Sequence, residues 1–145
     1  MSGTRGIVEN YLDRLGKGDP AAIADLFGPR IDWRLSWPDS EIGGDVPWIR
    51  FRSTPEDIRR HYEQVAEHNV PAARPTTVER ILVDGPHAVL LGTIRNRMKG
   101  TGVPYESHFA LHLTMEGGKI VRHHVYEDSL SIARAWDPSM AHRPT

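Results

Sequence analysis

The sequence predicts an α+β fold: a curved, mixed or antiparallel sheet wrapped around three helices of the N-terminal half, with a pocket between them. Three observations carry this prediction. The stretch from Tyr105 to Asp128 alternates apolar and polar residues with period two on both sides of a Gly-Gly turn. Four alternating segments follow one another with only short glycine turns between them. The strong helical patterns precede them, so those helices must cover the apolar face that such a sheet leaves open.

Ile7, Val8, Tyr11, Leu12 and Leu15 form a helical stripe ended by Gly16-Lys17-Gly18. Asp19-Pro20 reads as a cap and first helical position for a short second helix to about Phe27. Ile31, Trp33, Leu35 and Trp37 alternate with polar residues as a half-buried strand. A loop from Pro38 to Pro47 follows, then a short edge strand at Trp48–Phe51. In Ser53-Thr54-Pro55-Glu56-Asp57 either hydroxyl can cap a helix, and an acid follows three positions later. That helix is expected to reach about His68, with Ile58, Tyr62, Val65 and Ala66 inward and His61 and His68 on the surface. Strands follow at about 76–84, 87–98, 104–116 and 119–127. Asp128 caps a last short helix, and the tail after Asp137 is expected to be disordered.

The turn Glu116-Gly117-Gly118-Lys119 admits two registers. A two-residue loop sets Met115 beside Ile120. A three-residue loop with a bulge sets Leu113 opposite Val121, His123 beside Leu111, and Phe109 opposite Val125. The second is preferred because it continues the apolar face of Phe109, Leu111 and Leu113 into Val121 and Val125. It leaves His123 as a lone titratable ring on that face, with Glu127 at the rim.

At 145 residues and 39% hydrophobic content the chain reads as one globular domain over 1–145, with its core at about 5–136. A net charge of −1 with interspersed signs argues against nucleic-acid or anionic-membrane binding. With no cysteine, disulfides, thiolate metal sites and cysteine nucleophiles are excluded, and a cytoplasmic location is expected. No phosphate loop or Gly-x-Gly-x-x-Gly is present, so no nucleotide, flavin or other cofactor is expected.

Among candidate site residues, His123 reads as a general acid/base or as a buried structural histidine. Burial disfavours its charged form and leaves a neutral base near pH 7. Tyr11 is either a hydroxyl at the cavity edge or a core tyrosine. Arg95, with Thr93, reads as a pocket residue for a carboxylate or enolate oxygen, or as a solvated side chain. Phe109, Leu111 and Val125 would wall the pocket, and Glu127 would lie at its mouth beside Ser107. Trp33, Trp37 and Trp48 read as core, one of them walling the cavity. His108, His112 and His124 fall on the opposite, convex face near Tyr126; a homodimer interface is expected there rather than a metal site.

Several segments together resemble the SnoaL-like branch of the nuclear-transport-factor-2-like (NTF2-like) superfamily. They are GKGDPAAIADLF at 16–27, STPEDIRRHYEQ at 53–64, and YESHF at 105–109 followed by GGKIVRHHVYED at 117–128. The resemblance implies a cone-shaped fold with a pocket on the concave sheet face. It places the catalytic carboxylate of polyketide cyclases and epoxide hydrolases at Val125, where the acid is absent. It places Tyr11, in IVENY, on the oxyanion-binding tyrosine of ketosteroid isomerases, whose aspartate base falls near Leu35. RIDWR at 30–34 is similar to a strand of scytalone-type dehydratases, with Trp33 where that family has a tyrosine. The implied activity is isomerisation, dehydration or cyclisation of a hydrophobic oxygenated small molecule by His123 and Tyr11. Natural-product tailoring is the implied setting, and a non-catalytic binding module is the alternative.

Overall fold

The computed structural model describes residues 3–37 and 45–139. Helix α1 (Thr4–Lys17) buries Ile7, Val8 and Tyr11, and ends where Gly18 turns left-handed and donates to the Arg14 and Leu15 carbonyls. Helix α2 (Pro20–Ala24) is capped by the Asp19 carboxylate, which accepts from the Ala21 and Ala22 amides. It is shorter than expected because strand β1 (Phe27–Leu35) already begins at Phe27, with Ile120 N donating to Leu26 O. Helix α3 (Pro55–His68) carries the expected capping box, Thr54 with Asp57.

After α3, Asn69–Pro71 forms a short strand β2 that pairs with residues 96–98, which the sequence reading missed. The edge strand expected at Trp48–Phe51 does not form. Trp48 turns into the core while Phe51 is left exposed, so the segment packs as irregular chain. Strands β3 (Thr77–Asp84), β4 (His87–Met98), β5 (Pro104–Glu116) and β6 (Lys119–Glu127) lie where alternation puts them, and helix α4 (Ser129–Trp136) follows under the Asp128 cap. The loop Pro38–Gly44 and the tail from 140 fall outside the described residues.

The sheet order is β1-β6-β5-β4-β2, with β3 also pairing with β4; β1 and β6 are parallel and the other pairs antiparallel. The sheet is therefore mixed, and β1 closes its far edge. Val8, Ile58, Leu90, Leu113 and Ile120 are wholly buried between sheet and helices. Each such side chain contributes roughly 1.5–3 kcal/mol of burial.

The preferred hairpin register does not form. Gly117 (φ 59°) and Gly118 (φ 80°) make a two-residue turn with both residues left-handed, so Glu116 faces Lys119 and Met115 faces Ile120. The ladder then shifts by one residue at Val121, and Leu113 faces His123, Leu111 faces Val125 and Phe109 faces Glu127. The shift keeps His123 on the inner face and moves it one pair nearer the turn. Glu127, expected opposite Ser107, instead faces Phe109, which draws it into the cavity.

Gly92, in the interior of β4, seats the ring of Phe109. A Cβ there would lie 2.3 Å from the Thr77 carbonyl oxygen and 2.7 Å from the Phe109 ring. Backbone cannot yield as a flexible side chain does, so Gly92→Ala should cost roughly 2–3 kcal/mol, read as a lowered urea midpoint.

Candidate functional site

Between the concave sheet face and helices α1 and α3 lies a cavity of about 610 Å³. Its lining is mainly apolar: Leu12, Leu35, Val65, Leu90, Ile94, Phe109, Leu111 and Val125 are among its walls. Phe109, Leu111 and Val125 thus stand where the sequence placed them, and Trp48 is the tryptophan that walls the cavity.

At one end three polar side chains from three elements meet. The Tyr11 hydroxyl, from α1, is 2.5 Å from that of Tyr62 on α3. The Tyr62 hydroxyl in turn lies 3.4 Å from His123 Nε2 on β6. All three line the cavity. Both phenols stay protonated: burial pushes the Tyr11 pKa up to about 12 despite its hydrogen bond to Tyr62, and burial raises Tyr62 well above the ordinary range. Burial drives His123 the other way, to about 3, helped by the nearby His61. The ring is therefore neutral at physiological pH, with Tyr62 rather than a backbone carbonyl as its partner at Nε2.

Sequence reasoning put Tyr62 on the inner face of its helix but gave it no role. Its link to Tyr11 joins residues 51 apart, which no local pattern can reveal.

Trp33 does not wall the cavity. It pairs with His123 across the parallel β1–β6 ladder and stacks on that imidazole, with ring centroids 4.0 Å apart and planes within 7°. It holds the ring from behind. His61, expected on the surface, is buried: it meets Trp33 edge-on at 4.7 Å and donates from Nδ1 to the Trp48 carbonyl at 3.2 Å. Burial, with the Arg52 charge nearby, lowers its pKa to about 3. The cause of the misreading is tertiary, since Trp33 and Trp48 cover a helix face that its own neighbours mark as charged.

Arg95 is also displaced from its expected place. Alternation along β4 sends Leu90, Ile94 and Asn96 to the cavity, so Arg95 and Thr93 point to the other face. There Arg95 bonds Glu106, the Pro75 carbonyl and Thr77, and Thr93 bonds Glu79 and His108. On the same face His112 pairs with His124 and lies 3.0 Å from His87, while His124 lies 3.0 Å from Asp32. His108 stands apart from them with Thr93. Among the described residues no group of three or more His, Cys, Asp or Glu is arranged to hold a metal ion.

At the other end of the cavity, Glu127 accepts from Trp37 Nε1 at 2.7 Å. Burial raises its carboxyl pKa, and that indole bond lowers it in part. Nearby, Asn96 Nδ2 donates to the Tyr105 hydroxyl, which donates to Asn69 Oδ1. Among the described residues, no helix is long and apolar enough to cross a membrane.

The fold built here recurs in solved structures. An NTF2-like protein from Burkholderia thailandensis superposes with a TM-score of 0.79 at 21% identity, covering 95% of this chain and all of that one. An NTF2-like protein of unknown function from Burkholderia pseudomallei gives 0.77 at 18% identity, over 93% of this chain and 98% of that one. A candidate SnoaL-like polyketide cyclase from Mesorhizobium loti gives 0.66 at 19% identity, over 87% of this chain and 99% of that one. At these identities the likeness is one of fold. No curated protein matches the sequence. The SnoaL-like domain model matches residues 8–123, from the second turn of α1 to the histidine at the end of the tyrosine chain, and the protein belongs to that NTF2-like family.

Proposed function

We propose that the protein is an enzyme that moves a proton beside a carbonyl or alkene of a hydrophobic, oxygen-bearing small molecule. Isomerisation, dehydration and cyclisation share that step. The observation that supports this most is the Tyr11–Tyr62–His123 chain, a connected set of proton-bearing groups at one end of a mainly apolar cavity.

In this reading neutral His123 takes the proton from the carbon next to the carbonyl, becoming imidazolium as the substrate becomes an enolate. As Nε2 takes that proton, the Tyr62 hydroxyl turns from the ring to the enolate oxygen and donates to it, while Tyr11, also protonated at neutral pH, donates to Tyr62. The enolate's negative charge compensates the buried imidazolium, and return of the proton to a different carbon completes an isomerisation. Trp33, stacked on the ring, fixes its plane. Natural-product tailoring is the setting the family likeness suggests, and a pair of chains joined through the convex His112–His124 face is the assembly we expect. Light scattering would then give twice the chain mass.

One observation favours a second reading, a non-catalytic binding module. Leu35 and Val125 pair directly and leave apolar surface where related enzymes carry acids. A panel of β,γ-unsaturated ketones separates the two. Saturable growth of conjugated-enone absorbance is expected of the enzyme. Tryptophan-fluorescence titrations that show binding without conversion of any member would favour the module.

A further inference from the structure

The Glu127 end of the cavity has a chemistry of its own. The carboxyl lines the cavity and is held by Trp37 Nε1, yet among the described residues no lysine, arginine or histidine pairs with it. A buried carboxylate without a cation is costly, as its raised pKa reflects. The polar groups beside it are largely bound within the protein. Asn96 Nδ2 is bound to the Tyr105 hydroxyl, that hydroxyl to Asn69 Oδ1, and Asn69 Nδ2 to the Val65 carbonyl. Asn96 Nδ2 keeps one N–H, and two acceptors remain for a ligand, the second Glu127 oxygen and Asn96 Oδ1. Around them Tyr105, Phe109 and Trp48 supply aromatic rings, whose faces attract cations.

We infer that Glu127 is the anchor for a protonated amine, so that the cavity takes a ligand with an apolar body and an ammonium group at the Glu127 end. The ammonium supplies both the missing charge and the missing donors. His123 and Glu127 are four residues apart on one strand, about 13 Å between Cα atoms. The ligand's reactive oxygen and its nitrogen therefore lie at opposite ends of its apolar body. The inference rests on the reading of the cavity as a substrate site and narrows the substrate class.

The test compares 4-phenylbutylamine with 4-phenylbutanol, matched in shape and differing in charge, by calorimetry on the full chain at neutral pH. The amine is expected to bind at least about tenfold more tightly, as a charge-assisted hydrogen bond implies. In Glu127→Gln the preference should vanish while the alcohol's affinity holds. Glu127→Asp, which keeps the charge, should keep a reduced preference and serves if the Gln variant does not fold. Equal binding of the two probes by the wild-type protein overturns the amine assignment alone. A preference that survives in Glu127→Gln does the same. Failure of both probes to bind overturns the substrate-site reading and the inference with it.

Discussion

Between pH 7 and pH 5 the protein should lose about 4 kcal/mol of stability through two histidines, His61 and His123. Both have folded-state pKa values of about 3 against an ordinary 6.5, because burial disfavours their charged forms. Below pH 6.5 the unfolded chain binds a proton at each ring and the folded chain does not, so stability falls with pH through that window. Each ring accounts for about 2 kcal/mol by pH 5. Near that pH these two rings together should contribute almost two protons to the slope. Glu127, with its raised pKa, acts in the opposite sense, and comparing each variant with wild type over the same range isolates the histidines. His61→Gln and His123→Gln should each lower the slope of urea-derived stability against pH by about one proton near pH 5. A slope unchanged in His123→Gln would mean that this ring is charged in the folded protein.

The second large effect concerns turnover. His123→Gln should lower it by roughly 10²–10⁴, since the amide keeps much of the volume but cannot take up and release a proton. Tyr62→Phe should do comparable damage, because it cuts both links of the chain at once. Tyr11→Phe removes only the outer link and should cost less. The double variant Tyr62→Phe/His123→Gln should lose little beyond either single change, the signature of groups acting as a unit. A purely structural role predicts otherwise: about 1–3 kcal/mol of lost stability per orphaned buried group, with turnover per folded molecule intact.

The architecture was legible because strand alternation and glycine turns are local signals. The four long strands and the Thr54–Asp57 capping box are where their own residues put them. Turn geometry was harder. Two adjacent glycines allow either loop length, and the one-residue shift at Val121 restored the facing that the preferred register was chosen for. In β4 both faces begin apolar, with Val89 and Leu91 against Leu90 and Ile94, so alternation alone left Arg95 undecided. The site divides in the same way. His123 was visible as a polar residue on an apolar face, whereas Tyr62 and His61 acquire their surroundings only when α3 packs on β1 and β6.

Proton handling in this cavity is tested most directly by hydrogen exchange at carbon, which needs no knowledge of the natural substrate. A hydrophobic ketone incubated with the protein in D₂O should gain deuterium beside its carbonyl, followed by NMR, at a rate that saturates with ketone. His123→Gln should reduce that rate by roughly 10²–10⁴ while still binding the ketone. Exchange at the wild-type rate in His123→Gln would contradict the account.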